Sequence, residues 1–160
     1  MDGEAKATPP PEEVTIHKLL EIQPGMAALM KEVGERYTRA YHAAKGGNWK
    51  LSAYHLNQVR VAFKTAKVTR PKFTEDLTKF DGDYLMPIFK AIHAKDWGLF
   101  EEAFENGIEG SDFFHDKNGY SYIRYLLPTA PPADLYIGPP ESFKRERTTR
   151  KSAPQENPNQ

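Results

Sequence analysis

The chain predicts an all-α fold, an antiparallel four-helix bundle with a Pro- and Tyr-rich C-terminal wrap. Three observations lead there. Apolar residues recur at three- and four-residue steps over four long stretches, the mark of one buried helical face in each. Glycine, proline and capping residues punctuate those stretches where a helix would start or stop. Two junctions also echo each other, His42-Ala43-Ala44-Lys45-Gly46-Gly47-Asn48-Trp49 and His93-Ala94-Lys95-Asp96-Trp97. Each places a tryptophan at a helix start, as two αα-hairpins or two similarly capped turns would.

The elements follow in order. Residues 1–13 contain Thr8-Pro9-Pro10-Pro11, have nothing to bury, and read as a disordered arm. Residues 14–23 carry Ile16, Leu19, Leu20 and Ile22, which suits a short helix or strap that Pro24-Gly25 ends. The first bundle helix is predicted over 25–45, with Met26, Leu29, Met30, Val33, Tyr37, Ala40, Tyr41 and Ala44 on one face. Gly46-Gly47 stops it, because glycine accepts the left-handed conformation of a helix end. Asn48 then caps the second helix, over 49–67, which turns Ser52, His55, Leu56, Val59, Ala62, Phe63 and Ala66 inward. Thr69-Arg70-Pro71 closes it. The third helix, over 74–94, has the stripe Leu77, Phe80, Tyr84, Leu85, Ile88, Ala91 and Ile92. Asp81-Gly82-Asp83 weakens it and Pro87 removes a backbone donor, so a kink or break is expected near 82–87. Asp96 caps the fourth helix, over 97–116, with Phe100, Ala103, Phe104, Ile108, Ser111, Phe114 and His115 inward. Residues 120–137 should wrap over the bundle. The expected organisation is a disordered arm over 1–13, one four-helix domain over 14–137, and a disordered tail over 138–160.

Composition narrows the function classes. A length of 160 residues suits one domain with tails. Lys+Arg and Asp+Glu both total 22, so the chain lacks the basic excess of a general nucleic-acid or anionic-membrane binder. With no cysteine, it has no disulfide, thiolate metal site or cysteine nucleophile. Met1 to Val14 is acidic and Pro-rich, unlike a signal peptide, and no run approaches the ~18 apolar residues of a membrane span. A cytoplasmic protein is expected.

The segment Ser111-Asp112-Phe113-Phe114-His115 leads into Asn118-Gly119-Tyr120, Arg124 and Pro128-Thr129-Ala130-Pro131-Pro132. Together with Gly47-Asn48-Trp49 and Asp96-Trp97, this layout over 25–137 resembles the small bacterial four-helix, c-type cytochrome-like proteins. The resemblance implies a cytochrome c′-like bundle with Cys-x-x-Cys-His on its last helix. Here Ser111 and Phe114 stand at the cysteine positions and only His115 is kept, so thioether attachment of haem is excluded. The resemblance also implies that His115, an axial haem ligand in that group, faces a pocket. Haem-bearing relatives of this kind are exported, which leaves an exported protein as the alternative location.

A pocket once shaped for a flat macrocycle suits a smaller planar ligand. The expected function is a cofactor-independent enzyme of lyase, isomerase or hydration type. Its substrate would be a small aromatic acid such as a hydroxylamino- or hydroxybenzoate. Histidine titrates near neutral pH, which makes His115 and His55 the candidates to move protons, with Tyr120 as a further donor. Arg60 and Arg124 are the candidates to grip a carboxylate in two-pronged fashion, and Tyr84 to orient the ring. His42 and His93 fall at helix ends, where a cation meets the helix dipole well. Their places keep the histidines from converging, and no metal site is expected. Two other functions stay open: a noncovalent haem or tetrapyrrole-binding protein using His115, and a noncatalytic interaction bundle. The expected partner is a small aromatic molecule, not nucleic acid or membrane; Phe73 and Phe89 allow a homodimer.

Overall fold

The computed structural model describes residues 15–145. The arm expected over 1–13, and the end of the expected tail from 146 onward, lie outside the described residues. What is described is helical, without a strand. The helices are α1 (Ile16–Glu21), α2 (Met26–Lys45), α3 (Trp49–Thr69), α4 (Thr74–Phe80), α5 (Met86–Ala94) and α6 (Trp97–Lys117). Short 3-10 turns stand at Pro71–Phe73 and Pro140–Ser142. No helix among the described residues is long and apolar enough to cross a membrane.

Local chemistry sets the boundaries. Asn48 Oδ1 accepts the Leu51 amide at 3.1 Å and Asp96 Oδ1 accepts the Leu99 amide at 2.9 Å, so each long helix starts on a side-chain cap. The turn before α3 uses Gly47 at φ 81°, whereas the turn before α6 uses Lys95 at φ 53°. The third predicted helix does not break but runs on through a change of winding. Residues Asp81–Leu85 form a π turn, in which the Met86 amide reaches five residues back to the Asp81 carbonyl. Pro87 then falls in the first turn of α5, where a missing N–H leaves no helical bond unmade.

The helices pack with α2 against α3, α5 against α6, and α3 and α6 also touching α5 and α2. Aromatic rings fill the end of the molecule near the two tryptophans. Phe100 is fully buried, stacked on Trp97 at 5.6 Å and met edge-on by Trp49 at 6.1 Å. Burying a phenylalanine stabilises by about 1.5–3 kcal/mol, so this stack is a main anchor. Further along α6, Gly107 and Gly110 are buried. A methyl group on Gly110 would sit 2.5 Å from the Tyr84 ring, so these glycines admit tyrosines rather than merely weakening the helix.

Two segments stand apart. α1 forms as a single capped piece, but Ile16, Leu19, Leu20 and Ile22 are all exposed. The chain after α6 runs without regular structure to Gly138 and meets α2 and the turn that follows it. Tyr125 lies on Gly34, and the Ile137 carbonyl lies on Gly46.

Candidate functional site

A cavity of about 350 Å³ lies beside the second half of α6. Met30 and Val33 of α2, Leu77 and Phe80 of α4, and Ile108 and Phe114 of α6 supply apolar wall. Ile123 and Tyr125 of the C-terminal segment complete it. Phe104, Ile108, Ser111 and His115 line it together because steps of four, three and four residues keep them on one helical face. Ser111 Oγ turns back to donate to the Ile108 carbonyl at 2.8 Å, leaving its lone pairs free.

His115 is the notable polar group. Its Nδ1 is buried and has no hydrogen-bond partner. Burial is the main force lowering its pKa, with Arg124 acting the same way and Asp112, the Ile123 carbonyl and Asp116 acting against it. The ring is therefore neutral at pH 7, and its inner nitrogen can accept or donate one hydrogen bond. Tyr120 also lines the cavity, at its rim, 38% exposed. Its amide donates to the His115 carbonyl at 2.7 Å, which ties the two residues together.

The other predicted site residues lie elsewhere. His55 is buried in α3, where its Nδ1 stands 3.3 Å from an Arg36 guanidinium nitrogen and its Nε2 has no partner. Burial, then Arg36 and Arg39, push its pKa down to about 4. Arg60 pairs with Asp81 at 2.7 Å and lies 4.2 Å over the Phe89 ring. Arg124 pairs with Asp116 at 2.6 Å and Asp112 at 3.6 Å on the outside of α6. Tyr84 packs on Gly110 and on Phe80, with ring centroids 5.1 Å apart. None of these four lines the cavity. His42 is buried too, and burial lowers its pKa, so it is a neutral core group and not the dipole-facing cation expected from its place near a helix end.

Two cavity residues, Asp76 and Tyr37, were not among the site candidates; Asp76 lies off the apolar stripe of its helix, and Tyr37 reads in the sequence only as part of one. Asp76 accepts Lys117 Nζ at 2.5 Å and Asn118 Nδ2 at 2.9 Å, and these bonds, led by Asn118, hold its carboxyl below the usual range. The cluster fastens α4 to the end of α6 at the cavity edge. Tyr37 stacks on Phe104 at 4.0 Å and donates to its carbonyl at 2.9 Å. Burial raises the Tyr37 pKa far above the ordinary phenol value, so it is a fixed donor and not a proton carrier. Among the described residues, no group of three or more His, Cys, Asp or Glu is placed to hold a metal ion. No protein family, curated protein or solved structure matches this chain.

Proposed function

We propose that the chain is a cofactor-independent enzyme of lyase, isomerase or hydration type. It acts in the cytoplasm on a small aromatic acid such as a hydroxylamino- or hydroxybenzoate, a step in aromatic compound breakdown. The scaffold we assign is an antiparallel four-helix bundle of cytochrome c′-like kind, with α4, the π turn and α5 together as its third helix. The segment after α6 is its wrap. Support comes from the short, side-chain-capped turns that join α2 to α3 and α5 to α6.

One observation carries the functional assignment: a neutral imidazole whose buried Nδ1 has no partner, at the wall of a largely apolar cavity. Buried polar groups are normally satisfied, and a ligand is one way to satisfy this one. The volume, near the lower end of the ~300–1,000 Å³ of ligand pockets, favours a single ring over a macrocycle. A hydroxyl or hydroxylamino group donates to His115 Nδ1, which takes its proton as bond rearrangement begins. The imidazolium gives that proton back to the product, with Tyr120 at the rim as a further hydrogen-bond donor. The carboxylate meets no cation on the cavity wall, because Arg60 and Arg124 are paired elsewhere. The ring therefore enters substituent first, its carboxylate toward the mouth. Haem held by His115 is the competing assignment.

The test is a binding and turnover series with benzoate, para-hydroxybenzoate, para-hydroxylaminobenzoate and haemin. The hydroxylated ligands should bind better than benzoate, and binding and turnover should be lost in His115→Ala with helicity intact. Equal binding of benzoate, or activity kept by His115→Ala, overturns the assignment. A Soret band that needs His115 replaces it with haem binding.

A further inference from the structure

Outside the cavity, a groove of about 610 Å³ runs between α2 and the C-terminal segment. Lys31, Glu35 and Arg39 line it on the α2 side. Arg39 is held by Glu35 at 3.2 Å and Asp134 at 3.6 Å. The groove shares Ala27, Met30, Gly34, Thr38, Ile123 and Tyr125 with the cavity wall. Groove and cavity are thus two sides of one thin partition, and Tyr125 is its largest side chain.

The Tyr125 ring is seated but not bonded. It is 41% exposed, its centroid is 6.2 Å from that of His115, and its hydroxyl makes no hydrogen bond among the described residues. Its seat exists because residue 34 is glycine: a Cβ there would lie 2.8 Å from the Tyr125 hydroxyl and 3.0 Å from the ring. An unbonded, half-exposed aromatic ring resting on a glycine can swing away by rotating about its own side-chain bonds.

We propose that the groove is the outer, entry subsite of the ligand site, taking a flat aromatic ring with polar substituents, and that Tyr125 is the residue that gates passage to His115. This rests on the ligand assignment made above. With the ring on Gly34, Tyr125 stands between the groove and His115. With the ring swung out, the two spaces join. The apolar floor receives the ring, and Lys31 faces the substituents. The competing entrance is the rim at Tyr122 and Leu126, which are 78% and 84% exposed.

The experiment uses the full chain and two readouts. The first needs no ligand: the rate at which diethyl pyrocarbonate modifies His115, followed by peptide mass. Minor states are populated at up to about 10%, so removing the gate should speed modification about tenfold or more. Tyr125→Ala should do so, and Gly34→Ala should act the same way by pushing the ring off its seat. Tyr125→Phe and Leu126→Ala should match the parent chain. Acceleration by Leu126→Ala alone overturns the gate, as does equal acceleration at buried His55, which would report general loosening. The second readout is association and dissociation of para-hydroxybenzoate, both of which should quicken in Gly34→Ala. If His115 access changes as expected but this ligand never binds, the gate stands and the ligand assignment fails. If the ligand binds with unchanged rates in Tyr125→Ala, the gate fails alone.

Discussion

The two halves of α6 have the same apolar spacing and opposite outcomes. In the first half, Phe100 and Phe104 are fully buried and stack at 5.7 Å, with Tyr37 lying on Phe104 at 4.0 Å. In the second half, Ile108, Phe114 and His115 are only partly buried and face an open cavity. What differs is the opposite wall. The first half meets aromatic rings that continuous helices and capped tryptophan turns hold in place. The second half meets the seven residues of α4, the π turn and an irregular segment after Asn118. The segment after Asn118 has no regular structure to pack as a helix does, and space is left between it, the π-turn helix and α6.

The largest expected effect breaks this comparison directly. Phe100→Ala should cost about 3–5 kcal/mol in urea unfolding, because the packed half cannot collapse around the hole. Phe114→Ala, beside space that already exists, should cost less than about 2 kcal/mol. Equal losses would mean that the two halves are packed alike.

Next comes acid. The pKa of His55 falls from 6.5 in the unfolded chain to about 4 in the folded one. A depressed histidine pKa means the unfolded state binds the proton first. Stability is therefore unaffected above about pH 6.5 and falls as pH drops toward 4, by on the order of 3 kcal/mol in all. His115, whose pKa is also lowered, adds to the same limb. His55→Gln should flatten most of that limb in unfolding midpoints taken between pH 7 and 4. An unchanged slope would show that burial, with Arg36 beside it, does not keep the imidazole neutral. Smaller again is Asp76→Asn, which weakens the Lys117 and Asn118 bonds at the cavity edge and should cost about 1–2 kcal/mol. Hydrogen exchange should then quicken first in α4.

Periodicity and caps made the long helices legible. The expected spans 25–45, 49–67 and 97–116 compare with Met26–Lys45, Trp49–Thr69 and Trp97–Lys117. The irregularity near 82–87 was readable from Gly82 and Pro87, though nothing local says that it becomes a π turn rather than a kink. The candidate site was legible chiefly where it lies on a helix stripe. His115 lines the cavity from the α6 stripe, whereas Tyr120, past the end of that helix, is a candidate that no stripe points to. Arg60 sits on the edge of the α3 stripe, where a pattern of one helix cannot tell a pocket from the neighbouring Asp81 and Phe89. Gly34 and Tyr125 are ninety-one positions apart, and their fit is a matter of tertiary contact alone.

The smallest expected effect sharpens the contrast between cavity and surface. Arg60 has a guanidinium fitting for a carboxylate, yet it is committed to Asp81 at 2.7 Å with about a third of its side chain in water. A partly exposed pair of this kind contributes about 0–1 kcal/mol, so Arg60→Gln should barely move the unfolding midpoint. It should also leave para-hydroxybenzoate affinity unchanged, because Arg60 does not line the cavity. His115→Gln should weaken the same ligand while keeping the fold, since an amide fills similar space but cannot take the proton. Loss of ligand in Arg60→Gln would place the site on the α3–α5 face, and the space beside α6 would then be a packing defect beside the π turn.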